Sequence, residues 1–298
     1  MKRLFCFTLL ISWIACFFTA ANSNAQYVSD FEGLNASSAG TILTGQEGYY
    51  LPSYSSDWQA YTYSNNLPGL PQNPTGGNRF VAGTAPAIDQ LSGARAEHSL
   101  STGSGGIWTL AYDVAATYLG QSGQATDYVG SFSATPSQNY IQLFSWVDPA
   151  QALNFNAFYI AYDMNGIQSL TPGESPGSAW EGLFVNHWYR AWTTVDYSVN
   201  RITEVGIVDL QGGGGTASFN PSDWYLYGGS SGGSLPTAFR FFSGGTFGST
   251  GGNTLAFDNV SVIPGGYSAV PEPATLFLLA SGLVGLAGYA RKKLLKKI

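Results

Sequence analysis

Runs of alternating apolar and polar residues constrain this chain of 298 residues more than any other feature. One run, residues 107–114, places every second large side chain on the same face of an extended strand: Trp108, Leu110, Tyr112 and Val114. Comparable runs occur at 78–83, 128–134, 140–147, 157–163, 187–197, 202–210, 223–227, 238–242 and 254–263. No stretch between them has convincing helical spacing. The pattern predicts an all-β cargo domain over residues 26–268, built as a jelly-roll β-sandwich.

The N-terminal segment, residues 1–25, has the tripartite organisation of a secretory signal peptide. Lys2 and Arg3 precede an apolar stretch of about 15 residues, and small side chains lead to Ala25. We expect signal peptidase and the export machinery to act on this segment, with cleavage after Ala25. A retained membrane helix is the alternative, but the apolar stretch is shorter than the ~20 residues that a span requires. A lipid-modified Cys16 is a second alternative.

The C-terminal segment, residues 269–298, contains a second apolar stretch, 274–290, that predicts a single transmembrane helix. Its 17 residues give about 25 Å of helix, slightly less than a ~30 Å hydrocarbon core, and flanking basic side chains can extend the span. A basic tail, 291–298, follows with five cations: Arg291, Lys292, Lys293, Lys296 and Lys297. The positive-inside rule keeps this tail cytoplasmic and places the cargo domain outside the cytoplasm.

The residues before the predicted helix read Val-Pro-Glu-Pro-Ala, with the motif Pro271, Glu272 and Pro273. This motif, the short apolar helix and the terminal basic cluster together resemble the PEP-CTERM sorting signal of Gram-negative bacteria. The resemblance implies recognition by an exosortase, a membrane-embedded cysteine protease-transpeptidase. It also implies processing near the motif and transfer to the cell surface or extracellular polysaccharide.

The cargo domain is strongly acidic, although the whole chain has a formal net charge of only −6. Seven of the 12 basic residues lie in the two tails, so residues 27–270 keep five Arg and no Lys against 17 acids. Both cysteines, Cys6 and Cys16, lie in the signal segment, which leaves the mature chain without disulfides. A net charge of −12 argues against nucleic acid as a partner and against direct binding of acidic polysaccharide.

The two ends of the cargo domain, residues 29–33 and 255–262, resemble those of concanavalin-like lectin and glucanase domains and of galactose-binding-like carbohydrate modules. The alternation changes parity between Phe257 and Val260, which predicts a β-bulge. The resemblance implies adjacent first and last strands and a structural calcium held by Glu32 and Asp258, since hard oxygen ligands suit that ion. Ordinary solvated acids at strand ends are the alternative.

Catalytic motifs are scarce in the cargo domain. The paired carboxylates of a jelly-roll glucanase, spaced Glu-x-Asp-x-x-Glu, do not occur. Two G-x-S-x-G matches, at 173–177 and 228–232, lack the strand-to-helix context of a nucleophile elbow. The only histidines, His98 and His187, are too few for an ordinary zinc site. We therefore predict no catalytic residues and no enzymatic activity.

Glycan binding is the alternative function that the sequence suggests, because sugar rings stack on aromatic side chains and their hydroxyls bind polar ones. The aromatic segment 49–61 predicts a binding loop with Asp57, Trp58 and Tyr61, and Trp180 with Glu181 forms a second candidate. Near His187, alternation places Trp188, Arg190 and Trp192 on one face, where sheet packing is the simpler interpretation.

Three hypotheses follow. The first is a non-enzymatic, exosortase-sorted protein of the cell surface or extracellular matrix, associated with the exopolysaccharide of a biofilm. The second is a carbohydrate-binding, lectin-like module displayed by the same route. The third is a glycoside hydrolase.

Overall fold

The alternating runs form strands in the computed structural model of this chain. The model describes residues 27–51, 56–84, 93–100, 106–117, 128–130, 142–145, 154–170, 182–212, 216–231, 237–243 and 252–267. The chain divides into two compact units, Met1–Gly266 and Tyr267–Ile298. The signal segment 1–25, Ala25 included, lies outside the described residues, as do the sorting motif, the predicted helix 274–290 and the basic tail 291–298.

The described residues contain eighteen β-strands and one short 3₁₀ helix, Gly229–Ser231. The strands are β1 (Tyr27–Ser29), β2 (Thr41–Ile42), β3 (Tyr49–Tyr50), β4 (Ser56–Asp57), β5 (Gln59–Thr62), β6 (Arg79–Thr84), β7 (Ala94–Ser99), β8 (Ile107–Thr117), β9 (Tyr128–Gly130), β10 (Gln142–Ser145), β11 (Asn154–Tyr162), β12 (Gln168–Leu170), β13 (Leu183–Phe184), β14 (Tyr189–Asp196), β15 (Arg201–Asp209), β16 (Ala217–Phe219), β17 (Ala238–Ser243) and β18 (Thr254–Pro264). The predicted all-β class is confirmed. Among these residues no helix is long and apolar enough to cross a membrane.

The large sheet has nine strands in the order β16-β15-β14-β8-β18-β6-β5-β2, and β1 pairs with β18. Each pairing within this path is antiparallel. The first and last strands lie side by side, with Tyr27 opposite Val262. This adjacency is the one that the resemblance to jelly-roll domains implies.

Two smaller sheets face the large one. The small sheet has the order β17-β7-β3, with β4 pairing in parallel with β7, and the third sheet has the order β12-β11-β10-β9, with β13 on β11. One core cluster joins side chains from all three sheets, among them Val114 and Phe257 of the large sheet, Phe241 of the small sheet and Phe155 of the third. Stacked sheets sharing one apolar interior form a β-sandwich.

A β-bulge interrupts β18 where the sequence predicts it. The register between β18 and β8 shifts between Asp258 and Ser261, and Asn259 in between has a φ of 47°. Asn tolerates this left-handed conformation better than most residues. The bulge keeps Phe257 and Val260 in the core while Asp258 points to the other face of the sheet.

Two details of the predicted strand pattern are wrong. Residues 223–227 do not form a strand, because Tyr225 makes only isolated bridges to Tyr162 and Arg201. The segment 49–61 is not a loop on one edge, since it contains β3, β4 and the start of β5. Strand β7, which the alternation did not single out, lies at the centre of the small sheet.

Candidate functional site

A row of charged side chains crosses three adjacent strands on the outer face of the large sheet. Register places Arg190 of β14 opposite Asp113 of β8, and Asp113 opposite Asp258 of β18. Arg190 donates from Nε to Oδ1 of Asp113 over 2.7 Å and from Nη2 to Oδ2 over 2.9 Å. Both aspartates are fully buried. We call these three residues the buried charged row.

The connection between β5 and β6 supplies further hydrogen bonds to this row. Asn73 donates from Nδ2 to Oδ2 of Asp113 over 2.8 Å and to Oδ2 of Asp258 over 3.2 Å. Tyr63 donates its hydroxyl to Oδ2 of Asp258 over 2.9 Å. These bonds fasten the connection to the sheet.

Burial and charge together change the protonation of the row. Two buried carboxylates face a single guanidinium, and a carboxylate left without a counter-charge is costly to bury. Burial and the neighbouring charge of Asp113 raise the pKa of Asp258 to about 8. Burial and the nearby Asp258 also raise the pKa of Tyr63. This shift favours the protonated form of Asp258 at neutral pH, and the two buried aspartates join the loop to the sheet.

The two residues of the predicted calcium site take up separate hydrogen bonds. Oε1 of Glu32 accepts the backbone N–H groups of Asn78 and Arg79 over 2.5 and 2.9 Å. Oδ1 of Asp258 accepts its neighbour's N–H, and Oδ2 accepts Tyr63 and Asn73. Among the described residues no three acidic, His or Cys side chains group closely enough to hold a metal. Both oxygens of Asp258 and Oε1 of Glu32 accept hydrogen bonds, and calcium stays a prediction for metal measurement.

The predicted glycan-binding aromatics do not form a surface. Trp58 is fully buried, with its ring centroid 5.2 Å from Phe241 and 5.5 Å from Phe257. Tyr61 is 5% exposed and stacks on Phe80 at 5.4 Å on the outer face of the large sheet. Neither ring has a free face for a sugar, so their assignment to a binding loop is wrong. The second candidates, Trp180 and Glu181, lie outside the described residues.

Asp57, the third residue of that prediction, lies on the outer face of the small sheet, in a row with two side chains from neighbouring strands. Register places it beside Arg95 of β7, and Arg95 opposite Phe242 of β17. The guanidinium carbon of Arg95 lies 5.0 Å from the ring centroid of Phe242. Oδ1 of Asp57 and Nε of Arg95 are buried and have no hydrogen-bond partner. Burial raises the pKa of Asp57, while hydrogen bonds from Thr44 oppose the shift.

A second row lies beside the first on this face. Register places Tyr50 opposite Glu97 and Glu97 opposite Arg240. Arg240 ion-pairs with Oε1 of Glu97, and Tyr50 donates its hydroxyl to Oε2 over 2.6 Å. Glu97 and Arg240 are 3% and 7% exposed, whereas Tyr50 is 37% exposed. Both rows together form what we call the small-sheet face: Tyr50, Asp57, Arg95, Glu97, Arg240 and Phe242.

Trp188, Arg190 and Trp192 share one face of the sheet, as the alternation predicts, and their side chains pack against neighbouring residues. Trp188 is fully buried in the outer apolar cluster of the large sheet, and Trp192 donates from Nε1 to Glu204 over 3.0 Å. Arg190 binds Asp113 instead of stacking on the tryptophans. The simpler interpretation of this alternation fits the structure.

The sequence alone did not identify Arg95 and Glu97, or the pairing of Asp113 with Asp258. Arg95 and Glu97 stand two apart in Ala-Arg-Ala-Glu, an alternation of small and charged residues that indicates a strand with one polar face. Nothing in the sequence pairs Asp113 with Asp258, which are 145 positions apart, until the sheet order is known.

A model of the PEP-CTERM protein-sorting motif matches residues 269–292. No curated protein matches the chain.

Several solved structures are similar to this chain at low sequence identity. The cellulose induced protein Cip1 has 10% identity and a TM-score of 0.44 over 80% of this chain and 100% of its own. An endo-β-1,4-glucuronan lyase from the fungus Trichoderma reesei has 10% identity and a TM-score of 0.37 over 82% and 92%. An alginate lyase from Klebsiella pneumoniae has 10% identity and a TM-score of 0.39 over 73% and 84%.

The chain carries a PEP-CTERM protein-sorting motif behind an all-β sandwich domain.

Proposed function

We propose that this chain is an exosortase-sorted protein of the cell surface or extracellular matrix, without enzymatic activity, that associates with extracellular polysaccharide. The PEP-CTERM motif at residues 269–292 carries this proposal. The proposed route includes cleavage of the signal peptide after Ala25 and transient anchoring by helix 274–290 with the basic tail in the cytoplasm. Signal peptidase, the export machinery and an exosortase are the partners along it.

The burial and hydrogen bonding of the carboxylates support the part of the proposal that assigns no enzymatic activity. A glycoside hydrolase needs two carboxyl groups that face its substrate. Asp113 and Asp258 are directly opposite each other but fully buried and hydrogen-bonded. Glu97 is held by Arg240 and Tyr50. Among the described residues, the carboxylates that pair most closely are therefore used for packing.

The small-sheet face supports a saccharide-binding role as a second candidate function. Its first row holds an acceptor, Oδ1 of Asp57, and a donor, Nε of Arg95, that lack partners. A sugar hydroxyl both donates and accepts, so one hydroxyl or a vicinal pair matches both atoms once the side chains of Asp57 and Arg95, in which these atoms are buried in the free protein, turn outward. The exposed ring of Tyr50 at the edge offers an apolar surface for the ring of the sugar.

The sorting proposal is tested by replacing Pro271, Glu272 and Pro273 with alanine in the expressing cell. We expect the full-length precursor to accumulate in the membrane fraction and the processed form to disappear. Alanines at Ser29 and Val28, in the cargo domain, serve as the control. Unchanged processing and surface location would show that the assignment is wrong.

The saccharide proposal is tested by polysaccharide pull-down with the purified protein. We expect retention to fall at least tenfold in Arg95→Met and to stay unchanged in Arg201→Met, since Arg201 bonds the backbone oxygen of Pro221. Equal retention of both variants contradicts the role of the small-sheet face. Release of reducing ends from any polysaccharide in a substrate panel contradicts the non-enzymatic assignment.

A further inference from the structure

The connection between β5 and β6, residues 63–78, is long and hydrogen-bonded within itself. Loops beyond about 12–15 residues without regular structure are uncommon in domains and are often functional. Asn66 organises the first half, donating from Nδ2 to the backbone oxygens of Tyr63 and Leu70 over 2.8 and 2.9 Å and accepting Leu70 N–H over 2.8 Å. Asn66 is 9% exposed, so these bonds are largely shielded from water.

The second half of this loop is fixed to the large sheet. Trp188 donates from Nε1 to the backbone oxygen of Pro71 over 2.8 Å. Tyr63 is held by Asp258, and Asn73 by both aspartates of the buried charged row. A wall fixed in this way is preorganised, which lowers the entropy that a ligand loses on binding.

A cavity of about 400 Å³ opens within this loop, against the end of β5. The apolar lining residues are Tyr63, Leu70 and Pro71, of which Leu70 is only 3% exposed. Thr62, Ser64, Gln72 and Asn78 supply hydroxyl and carboxamide groups. None of these seven residues is charged. Because the domain has a net charge of −12, a cavity lined only by uncharged residues favours a neutral ligand over a charged one.

We propose that this cavity binds a neutral pyranose unit of a saccharide. A pyranose has an apolar C–H face, which suits the apolar lining residues, and hydroxyls that donate and accept. Hydroxyl and carboxamide side chains also donate and accept. A uronate would lose hydration of its carboxylate without gaining a counter-charge, so it is excluded. This site is separate from the small-sheet face and does not depend on the proposed function.

Asn78 is the residue that tests this site with least risk to the fold. Its hydrogen bonds to Glu32 and Tyr63 use its backbone, and its side chain is exposed. Asn35 is a matched control, because it is also exposed and its own bonds to Gln46 use the backbone. Ser64→Phe gives a second test, since an exposed Ser at the rim is replaced by a ring that fills the cavity.

The experiment uses the full chain in mild detergent and ligand-observed NMR with the methyl glycosides of glucose, galactose and mannose, and with methyl glucuronide. We expect at least one neutral glycoside to bind and the glucuronide not to bind. We expect Asn78→Ala and Ser64→Phe to weaken binding at least tenfold, with unchanged melting temperature, and Asn35→Ala and Arg95→Met to leave it unchanged.

Three results would overturn the proposal: no binding of any neutral glycoside, equal binding of the glucuronide, or binding that survives both cavity variants. Arg95→Met changes the small-sheet face and leaves the cavity intact. If this variant loses polysaccharide retention but still binds the glycosides, the loss concerns the small-sheet face alone.

Discussion

Replacing Asp258 with Asn removes the group in the buried charged row that gains its charge near neutral pH. In the folded protein the pKa of Asp258 is raised to about 8, mainly by burial and then by the charge of Asp113, from an ordinary value of 3.8. The folded state therefore keeps a proton that the unfolded state releases. The resulting stabilisation is complete below about pH 4 and is lost as pH rises toward about 8.

The magnitude follows from the linkage between protons and stability. One proton held only by the folded state changes the free energy of unfolding by about 1.4 kcal/mol per pH unit. Between pH 5 and pH 7 the wild type should lose about 2–3 kcal/mol relative to Asp258→Asn, which has no such proton. The assay is urea unfolding of both proteins at pH 5, 6 and 7, followed by tryptophan fluorescence, since Trp58 and Trp188 are fully buried.

Comparing the two proteins at each pH removes the contributions of titrating groups that do not interact with Asp258. Parallel stability curves for wild type and Asp258→Asn would refute the reasoning, because Asp258 would then ionise alike in both states. A wild type that becomes more stable toward pH 7 relative to the variant would refute it as well, since the carboxylate would then be favoured by folding.

Gly206→Ala should lower the free energy of unfolding by about 1–3 kcal/mol, because a Cβ there would overlap the ring of Trp192; chemical denaturation compares it with Gly266→Ala, where a Cβ meets nothing. Asn200→Ala should cost about 1–3 kcal/mol by calorimetry, since its Nδ2 donates to three backbone oxygens of residues 226–229, and a loss below 0.5 kcal/mol would contradict this role. Melting temperatures with calcium and with chelator should agree, and a rise with calcium would restore the calcium prediction.

The bulge in β18 shows how much of the fold the sequence predicts. The change of parity between Phe257 and Val260 is visible in the alternation alone, and the core on both sides requires it. The alternation does not show which side chains the bulge brings together. It directs Asp258 to the outer face, where its partners come from β8 and from the 63–78 loop, and such pairings over more than a hundred positions depend on the sheet order.

The misassigned aromatic loop has a physical cause as well. The segment 49–61 lacks period-2 alternation because it changes sheets: β3 and β4 belong to the small sheet and β5 to the large one. Trp58 lies where the chain passes from one layer to the other, so its ring fills the interior. Short strands that cross a sandwich resemble loops in sequence.

Strand β7 was missed because its inward-facing residues are small. These residues, Ala94 and Ala96, carry little of the apolar signal that marks a strand. Their size is explained by Phe241 of the neighbouring β17, which shares the core and fills the space above them. Packing of this kind is decided by residues far along the chain.

The position of β18 has a consequence for the order of folding. This strand lies between β8 and β6, so it joins the two halves of the large sheet, and it also pairs with β1. Synthesis reaches it after all the other strands that the structure describes. Until residues 254–264 have emerged, the two halves have no common partner, and the contacts that close the sheet span most of the chain.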